Sequence, residues 1–281
     1  TLETGAPVTK SLPVGNAVVA GFGDGTVRFF YPEEQPTVLQ AHSGPILDLA
    51  ADEETGAVLT GGDDGRFLHV SPEGTIQEIA TFGTKWVDCV AIGKGYFACS
   101  SERMAHVWRA DSTGTTTFEH PSTVGGLAFD TKARRLAVAH YGGATIWERI
   151  NNRRWKSSKL IWKGSHGATI FSPDGKYLVT TMQEDAMHGW HLRNKAEMRM
   201  AGYPGKVKSF TWVGDAPYLA TSGSVEAICW PFDGKDGPMG REPHTCAGIG
   251  NQKCTAVTGL IGYNGVFAGF ADGSVPAGQI S

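Results

Sequence analysis

Strand endings return along this chain about every forty residues, and at four of them the residue is tryptophan. The first copy is Gly21-Phe22-Gly23-Asp24-Gly25-Thr26-Val27-Arg28-Phe29-Phe30, and the second is Gly61-Gly62-Asp63-Asp64-Gly65-Arg66-Phe67-Leu68-His69-Val70. Each reads as a strand, a tight turn holding Asp, and a second strand closing on an apolar residue. The same phase recurs at Trp108, Trp147, Trp190 and Trp230, at successive spacings from Phe30 of 40, 38, 39, 43 and 40 residues. A chain that repeats one short unit so often builds copies of one small supersecondary element.

Each period carries a further pair of strand-like runs. Residues 46–50 precede 57–60, 87–91 precede 96–99, 124–129 precede 136–139, 168–171 precede 177–180, and 207–212 precede 218–221. Turns rich in Asp, Pro and Gly separate the members of each pair, most clearly Ser172-Pro173-Asp174-Gly175. No window of a dozen residues keeps the i, i+3, i+4, i+7 spacing of a helix, and the 38 glycines interrupt every candidate. Four strands in about forty residues is the size of a propeller blade. The predicted fold is therefore all-β, a β-propeller of seven blades, each a four-stranded antiparallel sheet, in one domain over 1–281. Blades are predicted near 7–40, 43–81, 84–118, 122–163, 166–200, 205–243 and 255–281. The last is incomplete: two strands end at Phe270, and Pro276 spoils a third ladder strand. A ring left open exposes sheet edges, so closure is predicted by pairing residues 5–10 with the last blade. That incomplete blade leaves counts of six or eight as alternatives.

The units resemble WD40 repeats over nearly the whole chain, in degenerate form. Ala41-His42, Glu119-His120 and Ser165-His166 stand at the family's Gly-His position. Asp24, Asp64 and Asp272 match its turn aspartate, with Glu184 or Asp185 in the fifth unit, and Trp108, Trp147, Trp190 and Trp230 match its tryptophan. The aspartate that should follow is missing: the pairs read Trp108-Arg109, Trp147-Glu148, Trp190-His191 and Trp230-Pro231. The resemblance implies a buried chain of His, Ser or Thr, Asp and Trp inside a blade. In the fifth unit that chain would be His166, Thr180 or Thr181, Asp185 or Glu184, and Trp190. The second unit offers His42, Thr60 and Asp64, with Val70 in the tryptophan's place. These residues then have structural roles, and the resemblance transfers no specific activity.

Other constellations are weak. His188, His191 and Asp185 surround Trp190, but strand alternation puts His188 and His191 on opposite faces. His244, Cys246 and Cys254 lack the paired spacing and the fourth ligand of a zinc site. No metal and no cofactor is expected. Five cysteines at irregular spacings point to buried free thiols in a reducing compartment, with Cys89, Cys99 and Cys229 inside strands and Cys246–Cys254 as a possible disulfide. There is no nucleophile elbow, phosphate loop or His-Glu-x-x-His. The net charge of −3 gives no general reason to expect nucleic acid, although Arg153, Arg154, Trp155, Lys156 and Lys159 form one basic stretch between the third and fourth strands of the fourth blade. No run of 18 apolar residues exists, and residues 1–10 have no signal-peptide pattern, though the chain does not begin with Met.

The face carrying the blade-joining loops and the turns between second and third strands has the richer chemistry. Lys85, Trp86, Tyr203 and Lys206 lie where chains lead into first strands, and Tyr141 and Gln183 lie in the turns. These six form the candidate partner-binding surface. The channel-facing candidates Leu49, Ala91, Ala128, Phe210 and Leu260 are small or apolar. The predicted function is a non-catalytic scaffold of the cytoplasm that binds a protein or peptide, not nucleic acid and not membrane. The alternatives are a propeller enzyme with a metal or acid/His site in its channel, or one part of a larger assembly.

Overall fold

A computed structural model describes residues 5–152, 154–214, 217–259 and 264–280; Arg153 and Leu260 lie outside them. Among the described residues there are twenty-five strands and no helix long and apolar enough to cross a membrane. The chain divides into two compact units, Thr1–Ile161 and Trp162–Ser281.

The first unit opens with three four-stranded antiparallel sheets, each formed by consecutive strands. They are β1 (Val8–Val14), β2 (Ala17–Phe22), β3 (Thr26–Phe30) and β4 (Thr37–Gln40); β5 (Ile46–Ala51), β6 (Val58–Gly62), β7 (Arg66–Val70) and β8 (Ile76–Thr81); and β9 (Val90–Gly93), β10 (Tyr96–Ser101), β11 (Met104–Arg109) and β12 (Thr115–Glu119). Next come β13 (Gly126–Phe129), β14 (Arg135–Arg149) and β15 (Trp155–Phe171). β14 doubles back on itself at Tyr141-Gly142-Gly143. Gly142 and Gly143 have φ of 89° and 134°, and the Arg149 amide donates to the Arg134 carbonyl at 2.8 Å. β14 thus supplies both middle strands of a fourth sheet, with the start of β15 beside it.

The division between the units falls within β15. Its remainder heads a sheet with β16 (Tyr177–Met182), β17 (Ala186–His191) and β18 (Glu197–Ala201). Two further sheets follow: β19 (Phe210–Val213), β20 (Tyr218–Thr221), β21 (Glu226–Pro231) and β22 (His244–Gly248), then β23 (Cys254–Gly259), β24 (Gly265–Phe270) and β25 (Ala277–Gln279).

Within each unit, neighbouring sheets pack face to face. Phe29, Ile46, Leu49 and Leu68 join the first two sheets, and Ala98, Phe118, Leu127 and Leu136 join the third and fourth. In the second unit Tyr177, Met187, Met200 and Leu219 make one such core, and Ala220, Cys229, Val266 and Phe270 another. The repeated Gly-Asp turns have a steric cause. Gly25 and Gly65 have φ of 81° and 75°, and a β-carbon there would collide with the carbonyl oxygens of His42 and Gly83 respectively. Only glycine combines that backbone angle with so close an approach.

Several expectations need correction. Residues Val8–Lys10, predicted to pair with the last blade, lie in β1 and pair with Phe22 and Gly21 of β2. A two-residue turn through Gly15 makes that local partner the easiest to reach. Pro276 does not abolish a third strand: β25 begins at the next residue and pairs with β24, while the Pro276 carbonyl accepts from the Ala268 amide. A proline just ahead of a strand gives up no ladder hydrogen bond. The sixth sheet's outer strand, β22, lies beyond the boundary set at 243. It brings Cys246 beside Cys229 on β21, with Cα atoms 6.8 Å apart, and these two form the disulfide. Cys254 opens the next sheet and is a buried free thiol, as are Cys89 and Cys99. Thiol titration of the denatured, unreduced chain should therefore count three groups, rising to five after reduction; five without reductant would remove the Cys229–Cys246 bond.

Candidate functional site

In five of the sheets the stretch that leads into or opens the first strand carries a ring that turns into the sheet: His42, Phe82, His120, His166 and Tyr203. His42 Nδ1 donates to Asp64 Oδ1 at 2.8 Å, and its Nε2 lies 2.8 Å from the Thr60 hydroxyl. Asp64 also accepts from the Ser43 and Arg66 amides. Burial pulls the His42 pKa down, against the opposing pull of Asp64, so the ring is neutral at pH 7. Val70, where other units have Trp, is fully buried without needing a polar partner. In the third sheet the equivalent ring is Phe82, 4.6 Å from His106, and Trp108 packs on Phe67. In the fourth, Trp147 Nε1 donates to His120 Nε2 at 3.1 Å. Burial, then His140 beside it, lowers His120 to about 4.

The fifth sheet departs from the expected chain. His166 Nδ1 bonds Thr180 Oγ1 at 2.7 Å, but its other nitrogen bonds the Trp162 carbonyl at 3.1 Å. Asp185 and Glu184 are exposed and take no part; the backbone carbonyl stands where the carboxylate was expected. Trp190 is buried, and its Nε1 has no partner among the described residues. His188 stacks on Trp162 at 4.1 Å and meets Trp190 edge-on at 4.6 Å, with neither ring nitrogen hydrogen-bonded among the described residues. Burial, then the charges of His166 and Arg199, lowers His188 to about 4. His191 packs on Tyr177 instead, so these groups do not converge on one point.

Tyr203 is the clearest correction. Expected on the binding surface, it is only 8% exposed and holds the histidine's place in the sixth sheet. Trp230 Nε1 donates to its oxygen at 2.6 Å, its hydroxyl donates to Thr221 Oγ1 at 2.8 Å, and Thr221 donates to the Ile228 carbonyl at 3.0 Å. Burial pushes Tyr203 up to about 12. The dipeptide Gly202-Tyr203 was the available signal: it falls at the Gly-His position with another ring that can hydrogen-bond.

The other expected surface residues are exposed. In the first unit Trp86 is 57% exposed and Tyr141 58%. Hydrogen bonds lock them into one run at one end of the third and fourth sheets. Lys85 Nζ pairs with the Glu102 carboxylate at 2.7 Å, the Val124 amide donates to the Glu102 carbonyl at 2.9 Å, and the Tyr141 amide donates to Ser122 Oγ at 2.8 Å. In the second unit Lys206 Nζ donates to Gln183 Oε1 at 2.8 Å. The basic stretch offers no stacking platform, because Trp155 packs inward on Tyr96 and Phe118. Of the channel-facing candidates, Leu49 and Ala91 are buried and Ala128 and Phe210 partly so.

No family model matches the chain. A stretch of 123 residues is 26% identical to WD repeat-containing protein 90 of Xenopus tropicalis; it covers 38% of this chain and only 7% of that protein. Together with the four-stranded antiparallel sheets, this partial similarity is consistent with a WD40 propeller.

Two outcomes follow from the buried rings. An unfolded imidazole near its ordinary 6.5 binds a proton that folded His188, at about 4, does not. Its contribution to stability is complete above pH 6.5 and is lost as pH falls towards 4. His188→Phe should keep the ring packing, remove two unpartnered nitrogens, and flatten the acid side of the Tm–pH profile; parallel profiles would refute this. Tyr203→Phe should lower stability in denaturant by about 1–3 kcal/mol, because the Trp230 indole is left without its acceptor.

Proposed function

We propose that the repeat units form a single seven-bladed WD40-like propeller over 1–281, and that the protein is a non-catalytic scaffold for a protein or peptide partner. The binding surface is the end of the sheets built from lead-in segments and second-turn residues: Lys85, Trp86 and Tyr141 in the first unit, Gln183 and Lys206 in the second. The observation that carries this reading is the pair Trp86 and Tyr141. Each is a large aromatic more than half exposed, and each sits on backbone fixed by hydrogen bonds. Exposed aromatics on a rigid frame lose little conformational entropy when a partner covers them, which is why such residues dominate interface energetics. The partial likeness to a WD repeat protein supports a scaffold in the same coarse sense.

Affinity capture from native extract, with wild type beside a Trp86→Ala, Tyr141→Ala double variant, tests the surface. Both side chains are exposed, so the variant should keep its fold and lose specific partners. Identical partner lists would rule out this face.

A further inference from the structure

The second unit has a small cleft at the lead-in end of its first two sheets. It measures about 300 Å³ and is lined on one side by Ser165, Thr181 and Gln183, on the other by Lys206 and Lys208. That is room for one or two side chains, at the low end of the range for ligand pockets. Lys253 lies alongside: its ammonium stands over Gly205, where a β-carbon would strike it.

The charges here are unmatched. Lys206, Lys208 and Lys253 form no ion pair among the described residues, although nine pairs of Lys or Arg with a carboxylate are formed elsewhere. Lys206 makes its one side-chain hydrogen bond to a neutral amide oxygen, that of Gln183. Two acids, Glu184 and Asp185, follow Gln183 in the same turn. Glu184 leans over Gly164, and neither pairs with any of the three lysines. The cleft is thus lined by two lysines and two hydroxyl-bearing residues, with no anion among its lining residues.

Resting on the scaffold reading above, we propose that this cleft receives an acidic side chain, glutamate or aspartate, from an extended segment of the partner. Lys206 and Lys208 would neutralise the carboxylate, and Ser165 or Thr181 would donate to it. A phosphate is the other anion to consider. Lysine holds phosphate or carboxylate alike as a point charge, but the bidentate arginine fork that makes phosphate recognition strong is absent from this lining. The chemistry therefore favours the carboxylate. The aromatic run of the first unit supplies apolar contact area, whereas this cleft selects partners by charge.

The probe is a labelled, end-capped Gly/Ser octapeptide with two glutamates at alternate positions, read by fluorescence anisotropy on the full chain. At about 50 mM salt it should bind about tenfold more tightly than its glutamine counterpart, and more weakly at about 200 mM. Lys206→Met with Lys208→Met should abolish that tenfold preference, and Lys206→Glu with Lys208→Glu should turn it towards a lysine peptide. Lys176→Met, which removes an exposed lysine already paired with Asp174, should change nothing. Equal binding of the glutamate and glutamine peptides, undiminished binding by the Met pair, or tighter binding of a phosphoserine peptide would each overturn the proposal. Trp86→Ala with Tyr141→Ala leaves the cleft intact, so failure of the aromatic surface and failure of the cleft are separately visible.

Discussion

A buried ring that finds a hydrogen-bond partner inside its own sheet anchors four of the sheets. The stretch that leads into or opens the first strand of each of these sheets carries the ring. His42, His120, His166 and Tyr203 turn inward from that segment and bond Thr60 and Asp64, Trp147, Thr180, and Thr221 with Trp230 respectively. A buried polar atom left unpaired costs about 1–3 kcal/mol, so each ring has one strongly preferred seat. The third sheet shows the limit of the rule. There Phe82 occupies the same seat through ring packing alone, which positions the loop without a directional bond.

The same constraint explains why the exposed groups stand where they do. With the ring anchored below, the residues immediately after it are held at the sheet's end: Lys85 and Trp86 follow Phe82, and Lys206 follows Tyr203. Backbone hydrogen bonds reinforce the anchor, as when the Phe82 amide bonds the Gly65 carbonyl and the His120 amide bonds the Arg103 carbonyl. Exposure and rigidity are usually in competition, since surface loops have few contacts to hold them. Here they coincide because the anchor and the exposed residue lie only a few positions apart on one short segment.

What was legible in the sequence was the repeat and the chemistry tied to it: the glycine turns, the short strands, and the histidines that seek hydroxyls. Three things were not. A degenerate repeat keeps a structural role with a different residue here, so Tyr203 reads as an exposed aromatic unless its phase is matched to His42 and His166. Backbone satisfies the buried His166 ring: the Trp162 carbonyl takes the place expected of Asp185, and no side-chain pattern announces it. Pairings set by strand register depend on where the outer strand begins. Moving that start to His244 placed Cys246 beside Cys229 and took it from Cys254. Each miss concerns which of several chemically adequate partners lies nearest, a matter of register more than of composition.

Register also bears on whether an inner-strand acid is free for chemistry. First strands of neighbouring sheets do not share a ladder, so their facing amides need side-chain acceptors. Asp48 of β5 supplies one: its Oδ2 accepts from the Val90 amide at 2.7 Å, and its Oδ1 pairs with Lys10. Ser209 does the same in the second unit, where its Oγ accepts from the Val257 amide at 3.1 Å. A catalytic carboxylate needs an oxygen that can reach substrate, and both oxygens of Asp48 are engaged in tying sheets together. The buried Cys89 thiol nearby is pushed up to about 12, chiefly by desolvation, which keeps it protonated and poorly nucleophilic. These polar groups of the inner strands therefore do the work of lateral stitching.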